Sequence, residues 1–324
     1  MNQFHRIFGM GVLSISLLLA GCGQGQGLEG AYPAKERMEE LVLLLPGQYQ
    51  RAEPFASGLC IVTEDDQAFD GGVDAEAAAV FSLADHQTIL QKHALERLYP
   101  ASMTKVMTAL VAIRYGDLQE KVTVGQEAII TEEGATLCHI KPGDSLTLEQ
   151  LLYGLMMPSG NDAGATIAVH MAGSIEGFAD MMNREAWAIG ATDSHFVNPH
   201  GLHDVQHYTT AYDMYLIFQE ALKEPMFRKV IGTDVYTADY VDGQGQPKTQ
   251  TWKNSNQYIT GQQPMPEGLI AIGGKTGTTR AAGSCLIMGS KDGQGKEYVS
   301  VVMKAENRQK LYEDMTNIIR KVAN

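Results

Sequence analysis

Positive charge is in short supply along this chain of 324 residues: 25 lysines and arginines stand against 38 aspartates and glutamates, for a formal net charge of -13. No basic run occurs anywhere, so the electrostatic footprint that a phosphate backbone requires is missing and nucleic acid is excluded as an expected partner. Cysteine is sparse as well, with 4 in all. Cys60, Cys138 and Cys285 lie in the body of the chain, an odd number that permits at most one internal pair and does not say which. A buried, reduced thiol is the plainer reading for Cys285, which sits in the apolar run Cys285-Leu286-Ile287-Met288. No internal repeat is present. Neither an H-E-x-x-H frame nor a G-x-S-x-G elbow occurs, which removes the usual signatures of a helix-borne zinc site and of a hydrolase nucleophile turn.

What is present starts with 44% hydrophobic and 19% charged residues, enough to bury a sizeable core and to set disorder aside. At the N-terminus, Arg6 precedes an apolar run over 7–20 that is short for a membrane span and has the layout of an export signal. It ends in Leu19-Ala20-Gly21-Cys22, which resembles a bacterial lipobox, where the cysteine is diacylated and becomes the first residue of the mature protein. Cys22 is therefore expected to be a lipid anchor, with two acyl chains holding the protein stably on a membrane face; an ordinary cleaved signal is the alternative. The expected organisation is a signal over 1–21, a glycine-rich tether and weakly patterned segment over 22–54, and one catalytic body over 55–324.

Within that body, short apolar runs at 58–63 and 77–83 and a strand pattern at 87–91 predict an opening antiparallel meander. Helical spacing follows over 102–115, 147–157, 162–171 and 175–189, and Thr210 with Asp213 three residues on is a capping signature for another helix toward Leu222. Strand signals return at 269–275, 284–289 and 297–303, and 307–322 closes the chain as an amphipathic helix. Strands at both ends with helices between predict an α+β fold: one antiparallel sheet built from sequence-distant pieces, flanked by helices, with a helical insertion region.

Three short strings carry chemistry. Ser102-Met103-Thr104-Lys105 puts a hydroxyl and an amine one helical turn apart on the same face, so Lys105 can take the proton of Ser102 if burial beside a second cation lowers its pKa. Ser102 is equally a residue type that caps a helix. Ser159-Gly160-Asn161 falls between two predicted helices, where Ser159 can relay a proton to a leaving amine and Asn161 can hold a substrate amide; each is also an N-cap candidate. Gly274-Lys275-Thr276-Gly277-Thr278 ends a strand with little side-chain bulk. An extended peptide can pair with that edge while Lys275, Thr276 and Thr278 hold a terminal carboxylate, and the amides of Ser102 and Thr278 can form an oxyanion hole. The string Gly-Lys-Thr is also half of a phosphate loop, but strand-like residues follow where that loop needs a helix. His195, His200, His203 and His207 share one glycine-broken segment, for which zinc is conceivable and not expected.

With these strings goes a wider likeness. Tyr99 to Ala109, Leu155 to Ala163, Asn198-Pro199-His200-Gly201-Leu202, Tyr208 to Asp213 and Gly274 to Gly277 resemble the blocks of the serine D-alanyl-D-alanine carboxypeptidases, the low-molecular-mass penicillin-binding proteins of peptidase S11 type. The resemblance covers about residues 58–304. It implies a β-lactamase/transpeptidase-like fold and an acyl-transfer hydrolase that needs no cofactor or metal. Its expected partners are peptidoglycan stem peptides ending in D-Ala-D-Ala, with β-lactams as covalent inhibitors. Ser102 would attack, Lys105 would act as base, and the histidine-rich segment would be scaffold. Many members of the family carry a β-rich C-terminal domain and a membrane-associating helix; here the sequence stops soon after its last core strand, which leaves anchoring on the outer membrane face or in the periplasm to Cys22. A class A β-lactamase differs in its S-D-N second motif and its deacylating glutamate. With S-G-N and no recognisable glutamate segment, penicillin is expected to form a long-lived ester on Ser102. The alternatives are such a β-lactamase and a catalytically poor penicillin-sensing or wall-binding lipoprotein.

Overall fold

A computed structural model describes residues 58–62 and 72–323, and these belong to one compact unit. Its centre is a five-stranded antiparallel sheet of β1 (Ala77–Ser82), β2 (Gln87–Lys92), β7 (Leu269–Thr279), β8 (Gly283–Asp292) and β9 (Glu297–Ala305), in the order β2-β1-β9-β8-β7. Ala77 of β1 pairs with Met303 of β9, so the two ends of the body meet in mid-sheet. Both faces of the sheet are covered. Ala77, Ala79, Phe81, Ile287, Val299 and Val301 join the core toward the helical region, while Ala78, Val80, Leu286, Met288 and Val302 join a second core against the C-terminal helix. Alternate residues thus face two apolar layers, which is why every residue of β1 is buried.

Seven α-helices are described: α1 (Lys105–Tyr115), α2 (Leu148–Met156), α3 (Asn161–Ala172), α4 (Ile175–Ile189), α5 (Ala211–Leu222), α6 (Pro225–Ile231) and α7 (Arg308–Ile319). A 3-10 turn, Ala101–Thr104, leads directly into α1. Residues 105–112 of α1 are all buried, so this helix is an axle of the fold with neighbours on every side. Sequence signals explain most helix starts. Thr147 and Gln150 form a full capping box on α2, Ser174 accepts from the Gly177 amide on α4, and Asn307 accepts from Lys310 on α7. The predicted Thr210 cap accepts from the Asp213 amide, 2.9 Å away.

Two expectations need correction. Residues 58–62 are not a strand, and Thr63 lies outside the described residues. The Cys60 amide donates to the Tyr215 hydroxyl at 3.0 Å and the Cys60 carbonyl accepts from the Tyr212 hydroxyl at 2.8 Å, so two tyrosines of α5 take the backbone groups that a ladder would have used. In addition there is a second antiparallel sheet that the sequence pattern does not announce, of β3 (Lys121–Thr123) and β4 (Ser145–Thr147) between predicted helices and β5 (Val235–Val241) and β6 (Pro247–Lys253) beyond them. The β5–β6 hairpin buries Ala238, Tyr240 and Trp252 and exposes the residues between them. The expected signal over 1–21, the tether over 22–54 and Cys22 lie outside the described residues. Tyr215→Phe removes the acceptor of a buried amide, and chemical denaturation should report a loss of about 1–3 kcal/mol; an unchanged midpoint would show that the 58–62 segment is not held this way.

Candidate active site

The 3-10 turn and α1 set the first two groups. Ser102 Oγ and Lys105 Nζ are 2.9 Å apart, and the same Nζ lies 2.7 Å from Asn161 Oδ1 and 2.7 Å from the His200 carbonyl oxygen. Lys105 is fully buried. Its pKa is held well below the ordinary lysine value, first by burial and then by the positive charge of Lys275; Asp162 pulls weakly the other way. A neutral amine has two hydrogens and one lone pair. Asn161 Oδ1 and the His200 carbonyl can only accept, so they take the two N–H groups, and the lone pair is left facing the hydroxyl of Ser102. This is the geometry of a general base on its nucleophile.

None of Ser102, Ser159 and Asn161 is a helix cap. Pro100 precedes the 3-10 turn, Thr104 stands at the N-terminus of α1 without a side-chain cap bond, and Gly160 occupies the cap position of α3. Asn161 spends its oxygen on Lys105 instead. Ser159 sits in the left-handed region at φ +68°, and its hydroxyl is buried with no hydrogen-bond partner among the described residues. A strained backbone presenting an unspent hydroxyl two residues from Asn161 is a feature that capping does not explain.

Strand β7 supplies the third string, and it runs as an extended strand paired with β8 through Lys275 and Thr276, not as a phosphate loop. Gly277 lets it pass against the 3-10 turn: a Cβ there would lie 2.9 Å from the Ser102 nitrogen and 2.9 Å from the Pro100 oxygen. Lys275 is fully buried, donates to the Thr276 carbonyl at 2.9 Å, and has its pKa lowered to about 7 by burial and, next, by Arg308. Thr276 Oγ1 is 2.9 Å from Ser255 Oγ, whose carbonyl accepts from Arg308 at 2.7 Å; Thr278 is exposed.

Three participants escape motif reading. His200 contributes a backbone carbonyl, which no side-chain pattern announces, although its block was recognisable. Ser255 and Arg308 lie in sequence far from the strings they support. The four clustered histidines do not converge: His195 Nδ1 meets the Gln206 carbonyl, His200 Nδ1 accepts from the Leu202 amide, His203 packs edge-on to Tyr99, and His207 meets Thr104. Cys60, Cys138 and Cys285 are all buried and unpaired, and burial pushes the Cys285 thiol up to about 12.

A family model described as D-alanyl-D-alanine carboxypeptidase matches residues 62–307. D-alanyl-D-alanine carboxypeptidase DacF of Bacillus subtilis is 30% identical over 252 residues, which cover 76% of this chain and 61% of that protein. The D-alanyl-D-alanine carboxypeptidase of Streptomyces sp. K15 is 32% identical, with 72% of this chain and 81% of that protein covered. For DacC of Escherichia coli the values are 30%, 72% and 57%. The chain thus spans about three fifths of the Bacillus and Escherichia relatives. A crystal structure of the Streptomyces K15 DD-transpeptidase superposes with a TM-score of 0.72 at 31% identity, covering 78% of this chain and 97% of that one. The antiparallel sheets flanked by helices are the α+β architecture of that neighbour.

The two lysines predict a bell-shaped pH dependence for modification of Ser102 by an anionic acylating inhibitor. On the acid side the rate rises as Lys105 loses its proton and gains its lone pair. On the alkaline side it falls as Lys275 loses its charge, from a free-protein pKa of about 7. Stopped-flow rates across about pH 5 to 10 test this. Lys275→Arg, which keeps its charge throughout, should lack the alkaline limb whatever its overall rate; a wild-type rate that stays level through that limb would contradict the assignment.

Proposed function

The chain belongs to the D-alanyl-D-alanine carboxypeptidase family, and on that premise we propose that it is a serine-type D-Ala-D-Ala carboxypeptidase acting on peptidoglycan pentapeptides through an acyl-enzyme on Ser102. The observation that carries this reading is the buried Lys105 amine, 2.9 Å from Ser102 Oγ, with its other two contacts on pure acceptors and its pKa lowered. Substrate pairs with β7, its terminal carboxylate at Lys275, Thr276 and Thr278 and its amide at Asn161, with Gly277 leaving room beside the nucleophile. Lys105 takes the hydroxyl proton as Ser102 Oγ attacks the carbonyl of the penultimate D-alanine. The amides of Ser102 and Thr278 hold the oxyanion. Collapse breaks the C–N bond, and the proton passes from Lys105 through the Ser159 hydroxyl to the departing amine, releasing D-alanine. Water, deprotonated by Lys105, then attacks the ester, and the proton returns to Ser102 Oγ. β-Lactams enter by the same attack and stay as esters.

The remainder of the reading concerns placement. Residues 55–324 form the catalytic domain, 1–21 a lipoprotein signal and 22–54 a tether. Cys22 carries the lipid and holds the exported enzyme at the outer face of the cell membrane or in the periplasm. No helix among the described residues is long and apolar enough to cross a membrane.

D-Alanine release from a pentapeptide should drop on the order of ten-thousand-fold or more in Ser102→Ala, and equal release by both proteins would refute the assignment. Penicillin should add its mass to the peptide containing Ser102 and persist there. Rapid drug turnover would point to a β-lactamase, and labelling without D-alanine release to a sensor. For the anchor, radiolabelled palmitate should enter the wild type and not Cys22→Ala, and the variant should move from the detergent phase to the aqueous phase.

A further inference from the structure

The peptide plane that joins Ala101 to Ser102 is held at its carbonyl end by a chain of buried side chains that the reaction itself does not use. Ala101, though not glycine, adopts φ +47°, a region that an alanine leaves unless its neighbours prevent it. Its carbonyl oxygen accepts a hydrogen bond from Thr104 Oγ1 at 2.8 Å. Gly201, at φ +83°, closes over the same oxygen so tightly that a Cβ there would fall 1.8 Å from it. Thr104 Oγ1 lies 2.7 Å from His207 Nε2. A threonine hydroxyl has one hydrogen, and here it goes to the Ala101 carbonyl, so His207 must donate from Nε2. Its Nδ1 is then bare and accepts from the Val197 amide at 3.2 Å. One neutral tautomer satisfies every contact. Burial keeps the ring in that state, its pKa lowered to about 3.

We propose that Thr104 and His207 are positioning residues for the oxyanion hole, acting through the Ala101–Ser102 peptide plane. In a trans peptide the C=O and N–H point in opposite directions, so fixing the Ala101 oxygen fixes the direction of the Ser102 N–H. A hydrogen bond to that carbonyl also draws electron density away from the nitrogen and makes the N–H a better donor. Without the chain, Ala101 relaxes toward negative φ, the plane turns, and the N–H leaves the line it would share with a developing oxyanion. Lys105 hydrogen-bonds to neither residue, its partners being Ser102, Asn161 and the His200 carbonyl. The inference rests on the acyl-transfer reading above, in which the Ser102 amide binds the oxyanion.

The test compares Thr104→Val and His207→Phe with the conservative pair Thr104→Ser and His207→Gln. For each, the acylation rate constant with a fluorescent penicillin, the labelling endpoint, the pH profile, and kcat and KM for D-alanine release are measured. Thr104→Val should slow acylation by about 10- to 100-fold, less than outright loss of an oxyanion donor, and lower kcat with little change in KM. The endpoint should stay at one label per protein and both pH limbs should stay in place. Thr104→Ser and His207→Gln should recover most of the rate. Thr104→Val combined with His207→Phe should be no slower than Thr104→Val alone, since the two act along one chain. A wild-type rate in Thr104→Val, a loss confined to the endpoint, or a displaced acid limb would overturn the proposal, because the residues would then be dispensable, merely structural, or acting through Lys105. Failure of the wild type to be labelled at Ser102 or to release D-alanine would overturn the acyl-transfer reading and this inference with it.

Discussion

Sealing the Lys105 amine from water, with its pKa held well below the ordinary lysine value, is the constraint around which the molecule is arranged. Burial alone would make the group neutral and would leave it useless, because an unaimed lone pair takes no particular proton. The fold solves both parts together. Residues 105–112 are enclosed on all sides, and two acceptors from distant segments, Asn161 and the His200 carbonyl, use the N–H groups and so orient what is left. The five-stranded sheet brings β7 against the 3-10 turn, with Gly277 permitting the approach.

A second lysine with the opposite duty lies near enough to matter. Lys275 contributes to lowering the Lys105 pKa, which it can do only while it is itself charged. Its own pKa is lowered by burial and by Arg308, so an anion arriving beside it would strengthen its hold on its proton. Such an anion would then reinforce the field that lowers the Lys105 pKa. Burial lowers the pKa of both lysines, and the charge of Lys275 adds to the effect on Lys105, the kind of perturbed pair that clusters at functional sites.

Much of the site was legible because its parts are side chains spaced by regular structure. Ser102 and Lys105 meet as their separation on one helical turn requires, and the Lys275 strand could be read from its small residues. Capping preferences misdirect at Ser102, Ser159 and Asn161, since each type is a good cap in isolation and here the caps fall elsewhere. A backbone carbonyl such as that of His200 has no sequence signature. In the fold, hydrophobic alternation located the strands of the main sheet but not the β5–β6 hairpin, whose exposed face is so polar that Ala238, Tyr240 and Trp252 stand isolated. Its Asp242-Gly243-Gln244-Gly245 turn was the available clue. The apolar run at 58–62 misled in the other direction, because hydrophobicity alone does not say whether neighbouring backbone will pair with a strand or with tyrosine hydroxyls.

The pairing of Ala77 with Met303 bears on how the protein comes to exist. Strand β1 has apolar layers to fill on both faces, and its central partner, β9, lies at the far end of the described residues and has to be brought to it. Until then the sheet lacks its middle and the core on either face stays open. Non-local closure of this kind is slow. A sheet centred on so distant a pair gains its ordered middle only when the whole body has gathered, so the two cores mature together rather than one after the other.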